Sequence, residues 1–184
     1  MTAARPSEGA CTEAGSAAID AVAPTDEAAQ RRIHGEGTPE SAWRAWDALR
    51  SLPRLSVEAL VPASSRVVVA APHPDDEVLG CGGALAALAR GGRRILVVGV
   101  TDGENSHADS LKWTARLLAR ERRQERQRGL DQLGVAEPPL ALRLPDGGVA
   151  AAEGVAARAL MDIVRPGDVL ISTWRFDGHP DHEA

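Results

Sequence analysis

The chain reads APHPDDEVLGCGG from Ala71 to Gly83, directly after an apolar, β-branched run. Asp75, Asp76 and Glu77 stand side by side there, and adjacent carboxylates repel one another unless a cation or protons relieve them. A plain turn would use Gly, Asn or Ser instead. Pro74 fixes one backbone dihedral, so His73 and Asp76 can curl onto the same side at i, i+3 spacing. One imidazole and one carboxylate are two suitable zinc ligands. Near the other end of the chain GHPDH repeats the spacing with His179 and His182. Either of these would complete three protein ligands with a position open for water, which is how catalytic zinc is held. Asp75 and the remaining histidine are then left over. They are the two groups hydrolysis needs, one to take a proton from water and one to stabilise or protonate what develops. Spacing alone does not choose between His179 and His182. A blander reading makes the acids loop and helix-capping residues, with Asp75 or Asp76 capping a helix that begins near Val78. That accounts for one acid but not for three beside a histidine, nor for the second His-x-x-His.

These residues need elements to hold them. Strand-like runs occur at Arg66–Ala71, Arg94–Thr101, Leu140–Leu144 and Asp168–Thr173. Helix-like stretches lie between them, at Val78–Arg90, about Ser110–Leu133 and about Val155–Val164. Strict alternation of strand and helix predicts an α/β fold, a mostly parallel sheet with helices on both faces. Ligands of such sheets collect beyond the carboxyl ends of the strands, and the chemically loaded segments HPDDE, TDGEN, LPDGG and WRFDGHPDH all fall there.

Upstream, residues 1–27 are rich in Ala, Gly, Ser, Thr and Glu without a period, and read as a disordered leader. Residues 28–60 read as a helical extension. Thr38 before Pro39 is a helix-start signal, and Ala42, Ala45, Trp46 and Leu49, with Trp43 at the edge, form a stripe expected to dock on the flank of a domain spanning 61–184. A sugar-binding role for the two tryptophans is the less favoured reading. With 184 residues, 43% hydrophobic, 26% charged and a net charge of −5, the chain has an ordinary globular balance. It lacks the basic excess of a nucleic-acid binder. Cys11 and Cys81 are not expected to pair, and two cysteines suit a reducing compartment. No apolar run is long enough to span a membrane and no secretory core is apparent, so a cytoplasmic location is expected. Oligomeric state is not readable.

APHPDDEVLGCGG, TDGE, RRQE in the long helix, LPD and GHPDH together resemble the PIG-L/LmbE family of zinc-dependent N-deacetylases, over about Ile33 to Ala184. The resemblance implies a Rossmann-like three-layer sandwich and removal of the acetyl group from an N-acetylglucosamine-type sugar or glycoconjugate. It implies zinc held by His73, Asp76 and His182, with Asp75 as general base on the activated water. His179, protonated, would stabilise the tetrahedral oxyanion and help the amine leave. Iron(II) suits the same ligand set. Arg122 and Glu125 match a motif that helps build the family's site, although most of their helix reads as a solvated charged face. Asp102, Glu104 and Asp146 are candidates for sugar hydroxyls, or turn-forming acids beside glycine. Trp174 could stack on a sugar face or cover the core. Similar enzymes continue past the second histidine motif, so this chain is expected to be truncated, with His182 on a frayed end and activity in question. A truncated metal- or sugar-binding module without turnover is the alternative. The glycines of Gly80-Cys-Gly-Gly83 also invite a nucleotide-binding reading. Leu85 stands where the third glycine should, so close helix packing is preferred for them.

Overall fold

The β-branched runs become a sheet. The structure, a computed structural model, describes residues 37–184. The expected leader, Cys11 and the first residues of the 28–60 extension lie outside the described residues. Strands β1 (Val67–Ala71), β2 (Ile95–Thr101), β3 (Leu140–Leu144) and β4 (Val169–Ile171) pair in parallel in the order β3-β2-β1-β4. The helices are α1 (Glu40–Ala45), α2 (Asp47–Ser51), α3 (Val57–Leu60), α4 (Asp76–Arg90), α5 (Ala115–Leu133), α6 (Glu153–Ile163) and α7 (Pro180–Glu183). The expected α/β sandwich, with helices on both faces of a parallel sheet, is what the chain forms.

Strand periodicity divides the core in two. Val67, Val69, Ala71, Ile95 and Val97 pack with Leu85 and Leu88 of α4 and Leu130 of α5. Val68, Leu96 and Val98 face the other way, toward Leu160 and Ile163 of α6. All of β1 and β2 is buried, which explains their unbroken apolar sequence. Each aliphatic side chain taken fully out of water there contributes about 1.5–3 kcal/mol. β3 and β4 are the half-exposed edges.

The topology also sets the place of the site. From β1 through β3 the chain steps one way across the sheet, then returns to lay β4 beside β1. This reversal carries α6 to the opposite face from α4 and α5, as right-handed crossovers require. The crevice beyond the carboxyl ends of β1 and β4 is therefore the switch point of the sheet. Both histidine motifs leave the sheet there.

A buried ion pair fixes the helix carrying the first motif. Arg126 of α5 donates from Nε to Glu77 Oε1 at 3.3 Å, and both side chains are almost fully enclosed. Burial pushes the Glu77 carboxyl up, with Arg126 opposing. The guanidinium lies against β2 at Gly99, where a Cβ would overlap Nη1.

Several expectations change at the edges. The 40–51 stripe does not dock: the helix breaks at Trp46 into α1 and α2, and neither buries a residue. Trp43 and Trp46 are about half exposed and meet each other edge-on at 5.8 Å. Pro39, not Thr38, is the N-cap of α1. Only from Val57 and Val61 does this segment join the core. α5 starts at Ala115 because Ser110 Oγ accepts the amides of Lys112 and Trp113 in a turn, and Thr114 then caps the helix through Leu117 N. Gly80, Gly82 and Gly83 lie inside α4, not in a strand-to-helix turn, which removes the nucleotide-loop reading. Close packing does not explain them either, since a Cβ at Gly80 or Gly83 would meet nothing within 4 Å and one at Gly82 only ordinary contact. No helix among the described residues is long and apolar enough to cross a membrane.

Candidate active site

The HPDD turn leaves β1 in a conformation that frees its acids. Asp75 occupies the N-cap position of α4 at φ 152°, ψ −23°, a region that costs an ordinary residue about 1–3 kcal/mol. Its side chain makes no capping bond. Asp76 does not cap either, because its Oδ2 accepts the amide of His73 at 2.7 Å. Helix capping therefore explains neither carboxylate.

Three side chains of the two motifs converge. His73 Nδ1 lies 3.1 Å from His182 Nε2 and 3.5 Å from Asp76 Oδ2, and His182 Nε2 lies 3.4 Å from Asp76 Oδ2. Donor atoms placed tetrahedrally at zinc distances are roughly 3.3 Å apart, so this triangle fits a small cation without rearrangement. Each histidine is also braced from behind by carboxylates. His73 Nε2 lies 3.2 Å from Asp146 Oδ1 and 3.3 Å from Asp181 Oδ2, and His182 Nδ1 meets Asp177 Oδ2. Carboxylates behind metal-binding imidazoles fix tautomer and ring orientation. The set His73, Asp146, Asp181 could itself hold an ion. Its imidazole nitrogen is the one facing away from His182, and backbone amides already occupy both carboxylates, so bracing is the better account.

Charge in the cluster points the same way. Burial works to lower the pKa of His73, but hydrogen bonds to Asp146, Asp181 and Asp76 override it and raise the pKa to about 11. Burial would raise the three carboxyls, yet hydrogen bonds from His73 and backbone amides hold all three below the usual range. The ring thus sits in a field that calls for positive charge, whether proton or metal.

His179 shares the cluster, its ring centroid 4.7 Å from those of both His73 and His182. With those two it forms another possible ligand triad. Its Nδ1, however, accepts the amide of Asp181 at 3.2 Å. Burial lowers its pKa, and the charges of His73 and His182 add to the effect. Both observations run against a protonated His179, since an Nδ1 that accepts an amide leaves Nε2 as the nitrogen to carry a proton.

A cavity of about 830 Å³ opens over these groups, with Asp75, Arg122, Glu125 and Asp146 in its wall. Arg122 turns toward the first motif, with Nη2 donating to Pro74 O at 2.9 Å and Asp75 Oδ2 at 3.0 Å. Asp146 faces His73 and accepts Asn105 N at 2.8 Å through Oδ2. Two other candidates lie elsewhere. Asp102 is buried against Arg123, and Glu104 Oε1 accepts the amide of Asp146 at 3.0 Å, so both support the loops without lining the cavity. Trp174 neither covers the core nor lines this cavity. It is 70% exposed against Phe176, beside a smaller pocket of about 360 Å³.

Sequence reasoning missed Asp177 and Asp181, though both lie inside the loaded WRFDGHPDH segment. The echo itself was the signal for Asp181, which stands where Asp75 stands in the first motif. His107, Ser106 and Trp113 also line the cavity, and nothing in their spacing announced it.

Among solved structures, the chain superposes on the N,N'-diacetylchitobiose deacetylase from Pyrococcus horikoshii with a TM-score of 0.58 and 24% identity, over 82% of this chain and 56% of that one. A conserved protein from Thermus thermophilus gives 0.51 and 31% identity over 65% of this chain and 50% of its own. A deacetylase of the teicoplanin biosynthesis pathway, in complex with teicoplanin, gives 0.50 and 21% over 65% and 62%. The chain thus spans from half to about three fifths of the length of these proteins. No curated protein sequence matches it. Residues 68–184, from β1 through α7 and including both histidine motifs, match the PIG-L family, described as GlcNAc-PI de-N-acetylase, and the chain belongs to that family.

Proposed function

We propose that the protein is a zinc-dependent N-deacetylase that releases acetate from an N-acetylglucosamine-type sugar or glycoconjugate. The observation that carries this reading is the triangle of donor atoms from His73, Asp76 and His182, set beside the carboxylate of Asp75 in the wall of a large cavity. Family membership and the deacetylases among its structural neighbours support the choice of an acetylated amino sugar. Iron(II) suits the same nitrogen and oxygen donors.

His73, Asp76 and His182 would hold the ion, which would supply Lewis acidity and bring the pKa of a water toward ~7. The protein's own groups carry the remaining steps. Asp75 accepts the proton of the attacking water. Asp181 N donates to His179 Nδ1, so neutral His179 presents Nε2–H to the carbonyl oxygen as it takes on negative charge. Asp75 then returns its proton to the leaving nitrogen, the C–N bond breaks, and acetate and a free amine remain. Asp146, Asp177 and Asp181 keep the imidazoles from turning.

The test pairs elemental analysis of the desalted protein with acetate release from N,N'-diacetylchitobiose, in wild type and His182→Ala. About one zinc or iron per chain, lost in the variant, with acetate released only by the loaded wild type, is the expected result. Absence of metal from wild type would overturn the reading. Bound metal without acetate release would turn the chain into a binding module.

A further inference from the structure

Arg122 is a cation in the wall of a cavity proposed to hold a sugar, and the plain assumption is that it binds substrate. Three of its five N–H donors are already engaged. Nη2 reaches Pro74 O at 2.9 Å and Asp75 Oδ2 at 3.0 Å, and Nη1 rests 3.4 Å from Gly103 O. The side chain is 14% exposed, while that of Asp75 is 49% exposed. The seat for the guanidinium is built into β2's exit: Gly103 has φ +66°, and a Cβ there would fall 2.5 Å from Nη1 and 2.9 Å from Pro74 Cδ.

Asp75 needs such a partner. It has φ 152°, and its carbonyl must still accept the amides of Val78 and Leu79, at 2.9 and 2.8 Å, to open α4. Nothing caps the helix through its side chain, and Oδ1 accepts no hydrogen bond among the described residues. A half-exposed carboxylate on a backbone of this kind would sample several rotamers and let the turn relax. One nitrogen, Nη2, grips both the carbonyl before Asp75 and one oxygen of its carboxylate while Nη1 rests on Gly103 O, a two-nitrogen geometry lysine cannot reproduce.

We infer that Arg122 is a positioning residue for Asp75, a clamp from α5 and β2's exit that holds the HPDD turn in its unusual conformation and leaves Oδ1 to face the reacting water. The inference rests on the proposed role of Asp75, but its effect on the turn is independent of turnover. It makes Arg122 part of the general-base apparatus and leaves sugar contacts to other groups of the wall.

Two measurements on Arg122→Gln and Arg122→Lys test it. The first is amide hydrogen exchange at Val78 and Leu79 by NMR in the metal-free protein. The expected result is exchange at least tenfold faster in Arg122→Gln and partly restored in Arg122→Lys, with the amides of β1 unchanged. Unaltered exchange would overturn the inference. The second is turnover of N,N'-diacetylchitobiose by zinc-loaded protein. The clamp predicts kcat lower by about 100-fold in Arg122→Gln, KM within a factor of three, and a double variant with Asp75→Asn no slower than Asp75→Asn alone. A KM raised tenfold with kcat nearly intact, or additive losses in the double variant, would make Arg122 a substrate ligand and overturn the inference. A wild type that turns over nothing while the exchange result holds would defeat the proposed function and leave the clamp standing.

Discussion

The two histidine motifs differ in one letter, HPDD against HPDH, and their third residues have opposite fates. Asp75 leaves β1 at positive φ, half exposed in the cavity wall, with one carboxylate oxygen held by Arg122. Asp181 sits inside α7 with a fully enclosed side chain. Its Oδ2 accepts Gly147 N at 2.7 Å and lies against His73, and its Oδ1 accepts Val149 N at 3.1 Å. The same acid after the same His-Pro becomes a cavity-facing carboxylate in one place and an internal brace in the other. Backbone conformation and available donors decide between them. The first motif opens a fifteen-residue helix anchored by the Glu77–Arg126 pair, so its turn absorbs the strain. The second folds into a four-residue helix that packs on the loop after β3, whose amides take its acid.

The sharpest way to break that contrast is to neutralise each acid in turn. Asp75→Asn should lower kcat by about 10²–10⁴ with metal content unchanged. Asp181→Asn retains a carbonyl for one amide but loses the charge behind His73. It should weaken zinc about 10–100-fold, and turnover should recover at saturating zinc. Competitive metal titration beside steady-state kinetics separates the two patterns. Should Asp75→Asn shed the metal, or Asp181→Asn stay inactive when fully loaded, the division between base and brace would fail.

The second way is through protons. In metal-free protein His73 has its pKa raised from 6.5 to about 11 by the surrounding carboxylates. A basic group stabilised in its charged form supports the fold fully below its unfolded pKa, so this contribution is complete below about pH 6.5. It falls away as pH rises through about 11. Asp76, Asp146 and Asp181 are held below 3.8, so their contribution is present above that value and is lost as pH falls through their depressed range. On the proposed reading, zinc would replace the proton on the ring and remove the alkaline loss. Thermal unfolding from pH 5 to 10 should show the chelated protein losing stability above pH 7 while the zinc-loaded protein does not. Parallel curves would mean that metal and proton do not compete at His73.

What the sequence made legible follows from how local each signal is. β1 and β2 were readable because strands buried on both faces must be apolar throughout, and the rim was readable because helices alternate with them. His73, Asp76, His179 and His182 declared themselves by spacing. The supporting acids did not, since bracing depends on which amides the fold brings near: Asp181 meets Gly147 and Val149, more than thirty residues away in sequence. Asp102 and Glu104 read equally as sugar ligands or turn-forming acids because acids beside glycine on a rim look alike, whether they face the cavity or turn back onto Arg123 or the Asp146 amide. The stripe at Ala42–Leu49 has helical period but nothing among the described residues to dock on, and propensity without burial left it split at Trp46.

The smallest effect concerns the helix behind the first motif. α4 carries Gly83 on an exposed position with helical backbone and no atom within 4 Å of a would-be Cβ. If the glycine run serves only as helix, Gly83→Ala should stabilise by about 0.5–1 kcal/mol. Thermal unfolding should then rise by roughly 1–4 °C, with zinc affinity and kcat unchanged. Gly103→Ala is the matched control: positive φ and the guanidinium seat make it strained, so it should lower stability and disturb Asp75 together. A destabilised Gly83→Ala would mean that the first motif's helix meets a surface the described residues do not supply. The strain at Asp75 would then be borne by more than Arg122 and the Glu77–Arg126 pair.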